Sequence, residues 1–151
     1  MSTLKIQSDK YIRMNQILFS ITNSYEARLS KEIKDKEDSL TISEMGIIMV
    51  LGQLQPINSR LLSQKMEINP GTISLYIDRL VKKALVYRSR DTVDRRNWLL
   101  KLTEKGELSF KEICSGSMEY TSSIMENLSF SEQETLYDLL SRISDFNGYG
   151  W

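Results

Sequence analysis

The sequence predicts a mainly α-helical chain carrying one small β-hairpin, an α+β protein in which 1–151 form a single domain. Two observations lead there. Apolar residues recur at three- and four-residue spacing through most of the chain, and only the stretch 86–102 shows the two-residue alternation of strands. A third fixes a boundary: Asn69 followed by Pro70 is a strong helix start, since asparagine caps the free N–H groups and proline needs none of its own.

With 151 residues the chain can bury an apolar core without disulfides or metals. Residues 1–10 are polar and lack the apolar core of a secretion signal. The greasiest stretch, 45–54, is broken by Gly46, Gly52 and Gln53, well short of the roughly 18 apolar residues that cross a bilayer. A soluble, cytoplasmic protein with no membrane partner is expected. Histidine is absent and Cys114 is the single cysteine. Their scarcity removes the commonest general base, the usual nucleophile pairs and the usual zinc ligands, so neither an enzyme nor a cofactor or metal is expected.

Taken in order, Ile17, Leu18, Ile21, Tyr25 and Leu29 share a helical face and predict a helix over 9–31, followed by a charged loop at 31–39. Thr41 with Glu44 three residues on is a capping-box signature for a helix over 42–54, which Gln55-Pro56 ends. Leu61, Leu62 and Met66 mark a short helix over 59–66, and 67–69 form a turn. From Pro70 a helix runs with Ile73, Ile77, Leu80, Val81 and Ala84 on one face and Gly71, Leu75, Asp78, Arg79 and Lys82 on the other, Thr72 and Ser74 at its margins. A short helix, a three-residue turn and a second helix opening on small hydroxylated residues make a helix-turn-helix. Taken alone, those hydroxyls are ordinary caps.

Strand patterns follow at 86–90 and 95–102, the latter with Trp98, Leu100 and Leu102 alternating, and 91–94 turn between them. A hairpin directly after such a helix is a wing. Asp94 and Arg96 project to one side of an extended strand, so the carboxylate can brace the guanidinium, and Arg95 points the other way. An arginine held at a hairpin tip suits the narrow, electronegative minor groove. Charge placement agrees. The chain is neutral, yet 79–101 holds eight bases against two acids and 103–146 three bases against nine acids. Such a basic block suits a polyanion.

From 41 to 106 the chain resembles the MarR family of bacterial and archaeal transcription regulators. The resemblance rests on Ile73-Ser74, on Asp78 through Val86, on Arg88, on Asp91 followed by Asp94-Arg95-Arg96, and on Leu102-Thr103-Glu104-Lys105-Gly106. Ala84 stands where the family usually has glycine. The resemblance implies that 41–102 form a winged helix-turn-helix lobe, that the helix from Pro70 enters the major groove and that Arg96 enters the minor groove. It further implies a homodimer built by the helices 9–31 and 104–147, binding a pseudopalindrome in double-stranded DNA. The DNA-binding set expected is Asn69, Gly71, Thr72, Ser74, Leu75, Arg79, Lys82, Arg90, Asp94, Arg95 and Arg96.

By the same resemblance, Tyr11, Tyr25, Met118 and Tyr120 are candidates to line a cavity for a small aromatic or phenolic effector, although aromatics at helical spacing are commonly core. Cys114 reads as a buried structural thiol. The C-terminal helices are expected over 104–128 and from a Ser131–Glu134 capping box onward. The expected function is a repressor released by a small ligand or stress signal. The alternative is a winged-helix module that docks a protein partner and binds no DNA.

Overall fold

The computed structural model describes residues 2–33, 40–92, 95 and 97–146. The chain divides into two compact units, 1–42 and 43–151. The first unit is one helix, α1 (Ser2–Ile33), longer at both ends than the helix expected over 9–31. No glycine or proline interrupts 2–33, so the polar start and residues 31–33 continue the helix. The rest of the loop expected at 31–39 lies outside the described residues. Ile17, Leu18, Phe19 and Ile21 of α1 are exposed.

The second unit begins with α2 (Ile42–Leu54), where Met45, Ile47, Ile48, Val50 and Leu51 are all buried. A helix apolar on nearly every side sits inside a core. Glu44, the acidic member of the expected capping box, is 1% exposed, and its carboxylate accepts a hydrogen bond from Lys83 Nζ at 3.0 Å. A buried carboxylate requires such a cation, and the pair ties α2 to the far end of the helix that starts at Pro70. Gly52 lets the Phe110 ring lie against α2, since a Cβ there would come within 2.4 Å of that ring.

Helix α3 (Ser59–Met66) is capped by Asn58, whose Oδ1 accepts from Leu61 N at 2.8 Å. It ends in a Schellman turn. Ile68 N donates to Ser63 O, Glu67 N donates to Gln64 O, and Glu67 takes the left-handed conformation with φ 51°. The buried Ser63 hydroxyl closes the turn by donating to Ile68 O at 2.6 Å. Helix α4 (Pro70–Lys82) starts as the sequence predicts, with Asn69 Oδ1 accepting from Gly71 N at 2.8 Å. Ile73, Ile77 and Leu80 are buried and Val81 is half-buried. Ala84, expected on that face, lies beyond the helix and is exposed.

Strands β1 (Val86–Arg90) and β2 (Trp98–Leu102) pair antiparallel, Val86 opposite Leu102 and Arg90 opposite Trp98. The return strand starts at Trp98 rather than Arg95, which belongs to the turn. On the other side of β2, Ile57 makes a two-bond bridge with Leu100, so the connection after α2 acts as a one-residue third strand. Gln55 reinforces it: its Oε1 accepts from Leu102 N at 2.7 Å and its Nε2 donates to Glu107 at 2.6 Å.

Helix α5 (Glu104–Met125) buries Ile113 and Tyr120. Leu108, Met118 and Ile124 of α5 are exposed. Helix α6 (Phe130–Phe146) opens on a capping box at Ser129 and Glu132, two residues before the expected Ser131–Glu134. The Ser129 hydroxyl and then its N–H hydrogen-bond the Glu132 carboxylate and hold its pKa below the usual carboxylate value. Phe130, Tyr137, Leu139, Leu140 and Ile143 of α6 are exposed.

One seam joins α4, the hairpin and α5. Helix α4 ends in a Schellman turn: Leu85 N donates to Leu80 O, Ala84 N donates to Val81 O, and Ala84 takes φ 55°. This left-handed position is the physical reason for glycine in the family pattern. Thr103 clasps the turn, its N–H donating to Leu85 O at 3.0 Å and its hydroxyl to Ala84 O at 2.6 Å. The same hydroxyl caps α5 by accepting from Gly106 N at 3.0 Å. A Cβ on Gly106 would stand 2.1 Å from Leu85 O, so only glycine allows α5 this close.

Two substitutions test the seam by urea denaturation. Ala84→Gly relieves about 1–2 kcal/mol of left-handed strain and gives back part of it as unfolded-chain entropy, for a net stabilisation of about 0.5–1 kcal/mol. Gly106→Ala forces α5 away from the Leu85 carbonyl and destabilises by about 2–3 kcal/mol.

Candidate nucleic-acid interface

The two Schellman turns fix the entry and exit of α4, and its apolar side packs into the core. The opposite side is left in water. Gly71, Ser74, Leu75, Asp78, Arg79 and Lys82 are exposed, and Thr72 is half-buried. Asn69 caps the helix. The Ser74 hydroxyl donates back to Pro70 O at 3.0 Å, which commits its proton and leaves its lone pairs as acceptors. Arg79 lies over the Tyr76 ring, 5.8 Å from its centroid.

The hairpin presents its bases beside this face. Arg90 stacks on the Trp98 ring at 3.9 Å, and its Nη1 donates to the Arg95 carbonyl oxygen at 2.8 Å. A guanidinium held over an indole keeps its charge while losing rotamer freedom. Trp98 and Arg90 are cross-strand partners, so the sheet register builds the stack. Arg88 reaches from β1 to Asp78 of α4, Nη2 to Oδ1 at 2.7 Å. This exposed pair adds little stability, but it neutralises the acid on an otherwise basic or neutral face and links helix to wing. Between the two elements runs a groove of about 650 Å³ lined by Ser59, Ser74, Ile77, Arg88, Trp98 and Leu100.

Of the residues expected from sequence, Asn69, Gly71, Thr72, Ser74, Leu75, Arg79 and Lys82 share α4 and its cap, and Arg90 and Arg95 share the wing. Asp94 and Arg96, with the bracing expected between them, lie outside the described residues. Arg88 and Trp98 escaped the expected set. Trp98 alternates with Leu100 and Leu102 as a core residue would, yet it is 47% exposed, and nothing local in the sequence marks Arg88 as the partner of Asp78.

Tyr11 and Tyr25 belong to the first compact unit, exposed and half-buried respectively, while Met118 and Tyr120 belong to the second, exposed and buried. Cys114 is half-buried with its thiol 3.7 Å from Met49 Sδ, less enclosed than the sequence suggests. Among the described residues no His, Cys, Asp and Glu group could hold a metal ion, and no helix is long and apolar enough to cross a membrane.

Comparison with known proteins gives a consistent answer. Residues 40–98 match the family model described as MarR family. The transcriptional repressor MdtR of Bacillus subtilis is 27% identical over 107 residues, 68% of this chain and 69% of its own. The transcriptional regulator MgrA of Staphylococcus aureus is 26% identical over 138 residues, 90% of this chain and 92% of its own. Among solved structures, Streptococcus pneumoniae FabT in complex with DNA superposes with a TM-score of 0.80 at 24% identity, covering 91% of this chain and 97% of that one. The matched segment holds α2, α3, α4, β1 and the start of β2, and so includes α4 and the first strand of the hairpin that form the exposed face. Over residues 40–98 the chain matches the MarR family model, and these residues carry a helix-turn-helix followed by the first strand of a wing.

Proposed function

We propose that this chain is a sequence-specific DNA-binding transcriptional regulator, a cytoplasmic homodimeric repressor that acts by binding rather than catalysis. The observation that carries the reading is the division of α4 into a buried side and an exposed polar side that lies next to an arginine-bearing hairpin. In this reading α4 enters the major groove, where Thr72, Ser74, Leu75 and Arg79 meet base edges and Gly71 keeps the first turn slim. Asn69, Lys82, Arg90 and Arg95 face phosphates, and Arg96 is assigned to the minor groove as the sequence suggests. The repressor name of MdtR and the DNA in the FabT structure support this assignment.

The homodimer follows from surface chemistry. Helix α6 exposes Phe130, Tyr137, Leu139, Leu140 and Ile143, and α5 exposes Leu108, Met118 and Ile124. Within the second unit these apolar side chains lack cover, which a second copy would supply. The dimer then sets two α4 helices about one DNA turn, roughly 34 Å, apart. Release from DNA is assigned to a small aromatic or phenolic effector or a stress signal.

Fluorescence anisotropy on random duplex DNA separates this reading from a protein-docking module. With Lys82, Arg90 and Arg95 of each protomer neutralising phosphates, about six per dimer, log Kd should change with log salt at a slope of magnitude about 5. No measurable binding at low salt contradicts DNA binding and favours the docking module. On a specific duplex, Arg96→Ala should weaken binding by about 1–3 kcal/mol with dimerisation unchanged in sedimentation. Unaltered affinity removes Arg96 from the interface.

A further inference from the structure

We infer that Leu75 is a specificity-determining residue that packs on the C5-methyl group of one thymine in each half-site. The inference rests on the reading of α4 as the helix that enters the major groove, and it adds the base that this face selects. Leu75 is 61% exposed, on a helix that buries Ile73, Ile77 and Leu80 almost completely. It projects from the outward side, directly after Ser74 and one turn before Arg79.

Its neighbours on that side are small or polar: Gly71, Ser74, Asp78 and Arg79. Asp78 is held by Arg88, and the Ser74 proton is committed to the Pro70 carbonyl. Leu75 is therefore an isolated apolar group in polar surroundings, too small a patch to dock a protein. Base edges in the major groove are donors and acceptors, with one apolar exception, the thymine methyl. A leucine pressed on a donor or acceptor strips its water and returns no hydrogen bond, which penalises every other base. Against thymine the same contact removes two apolar surfaces from water. Leu75 thus selects thymine by attraction and rejects the alternatives by desolvation.

The test uses full-length protein and a duplex selected by it, with each thymine replaced singly by uracil, a change that deletes only the methyl group. Anisotropy should find one thymine per half-site whose replacement weakens binding about fourfold, the equivalent of one buried methyl. Leu75→Ala, an exposed substitution that leaves the fold intact, should bind thymine and uracil duplexes alike. A duplex indifferent to every replacement overturns the inference, as does equal sensitivity in Leu75→Ala. In both cases specific binding survives, so the function proposed above stands. If no duplex is selected, that function fails and this inference with it.

Discussion

The carbonyl group of Leu85 is the point on which the lobe depends. It accepts from Thr103 N, faces the bare Cα of Gly106, and sits one residue after the left-handed Ala84 that ends α4. Through it the end of α4, the root of the hairpin and the first turn of α5 are set by the same few atoms. Lys105 adds a hydrogen bond from Nζ to Lys83 O at 3.2 Å, and Lys83 in turn meets the buried Glu44. Moving any one of these elements disturbs the others. In the DNA complex proposed above, α4 and the wing fit adjacent grooves of one duplex and would need this kind of shared anchor, because an error at the root is magnified at the tip.

Electrostatics on the exposed face shows how a neutral chain suits a polyanion. The excess of bases lies on α4 and the wing, and the Asp78 carboxylate on that face is paired with Arg88. Arg90 is held on Trp98 and tied to the Arg95 carbonyl, so part of the entropic cost of positioning it is met in the free protein. The acids of α5 and α6 balance the charge elsewhere. Overall neutrality and a local basic surface are therefore compatible, and only the placement of charges carries information about the partner.

Much of this was legible in the sequence because it is local. Asn69-Pro70, the spacing of Ile73, Ile77 and Leu80, and the alternation of Leu100 and Leu102 report directly on a cap, a helix face and a strand face. What escaped is set by tertiary contact. The spacing of Glu44 marks a capping box, but its burial and its pairing with the distant Lys83 are not visible in local sequence. The left-handed conformations of Glu67 and Ala84 are imposed by the Schellman turns on residues that do not favour them. Ile57 becomes a strand residue only because Leu100 is there to pair with it. In α5, helical spacing could not tell which apolar residues face the core: Ile113 does, and Leu108 and Met118 do not. At the site, Arg88 and Trp98 were missed because their roles depend on the sheet register.

The central claim, that two copies of this winged helix read DNA together, is tested most directly by selecting bound duplexes from a random pool with the full-length protein. A homodimer should enrich a sequence with two-fold symmetry and half-sites about one helical turn apart. Enrichment of an asymmetric single site would contradict the dimer, and the absence of any enrichment would contradict sequence-specific DNA binding itself.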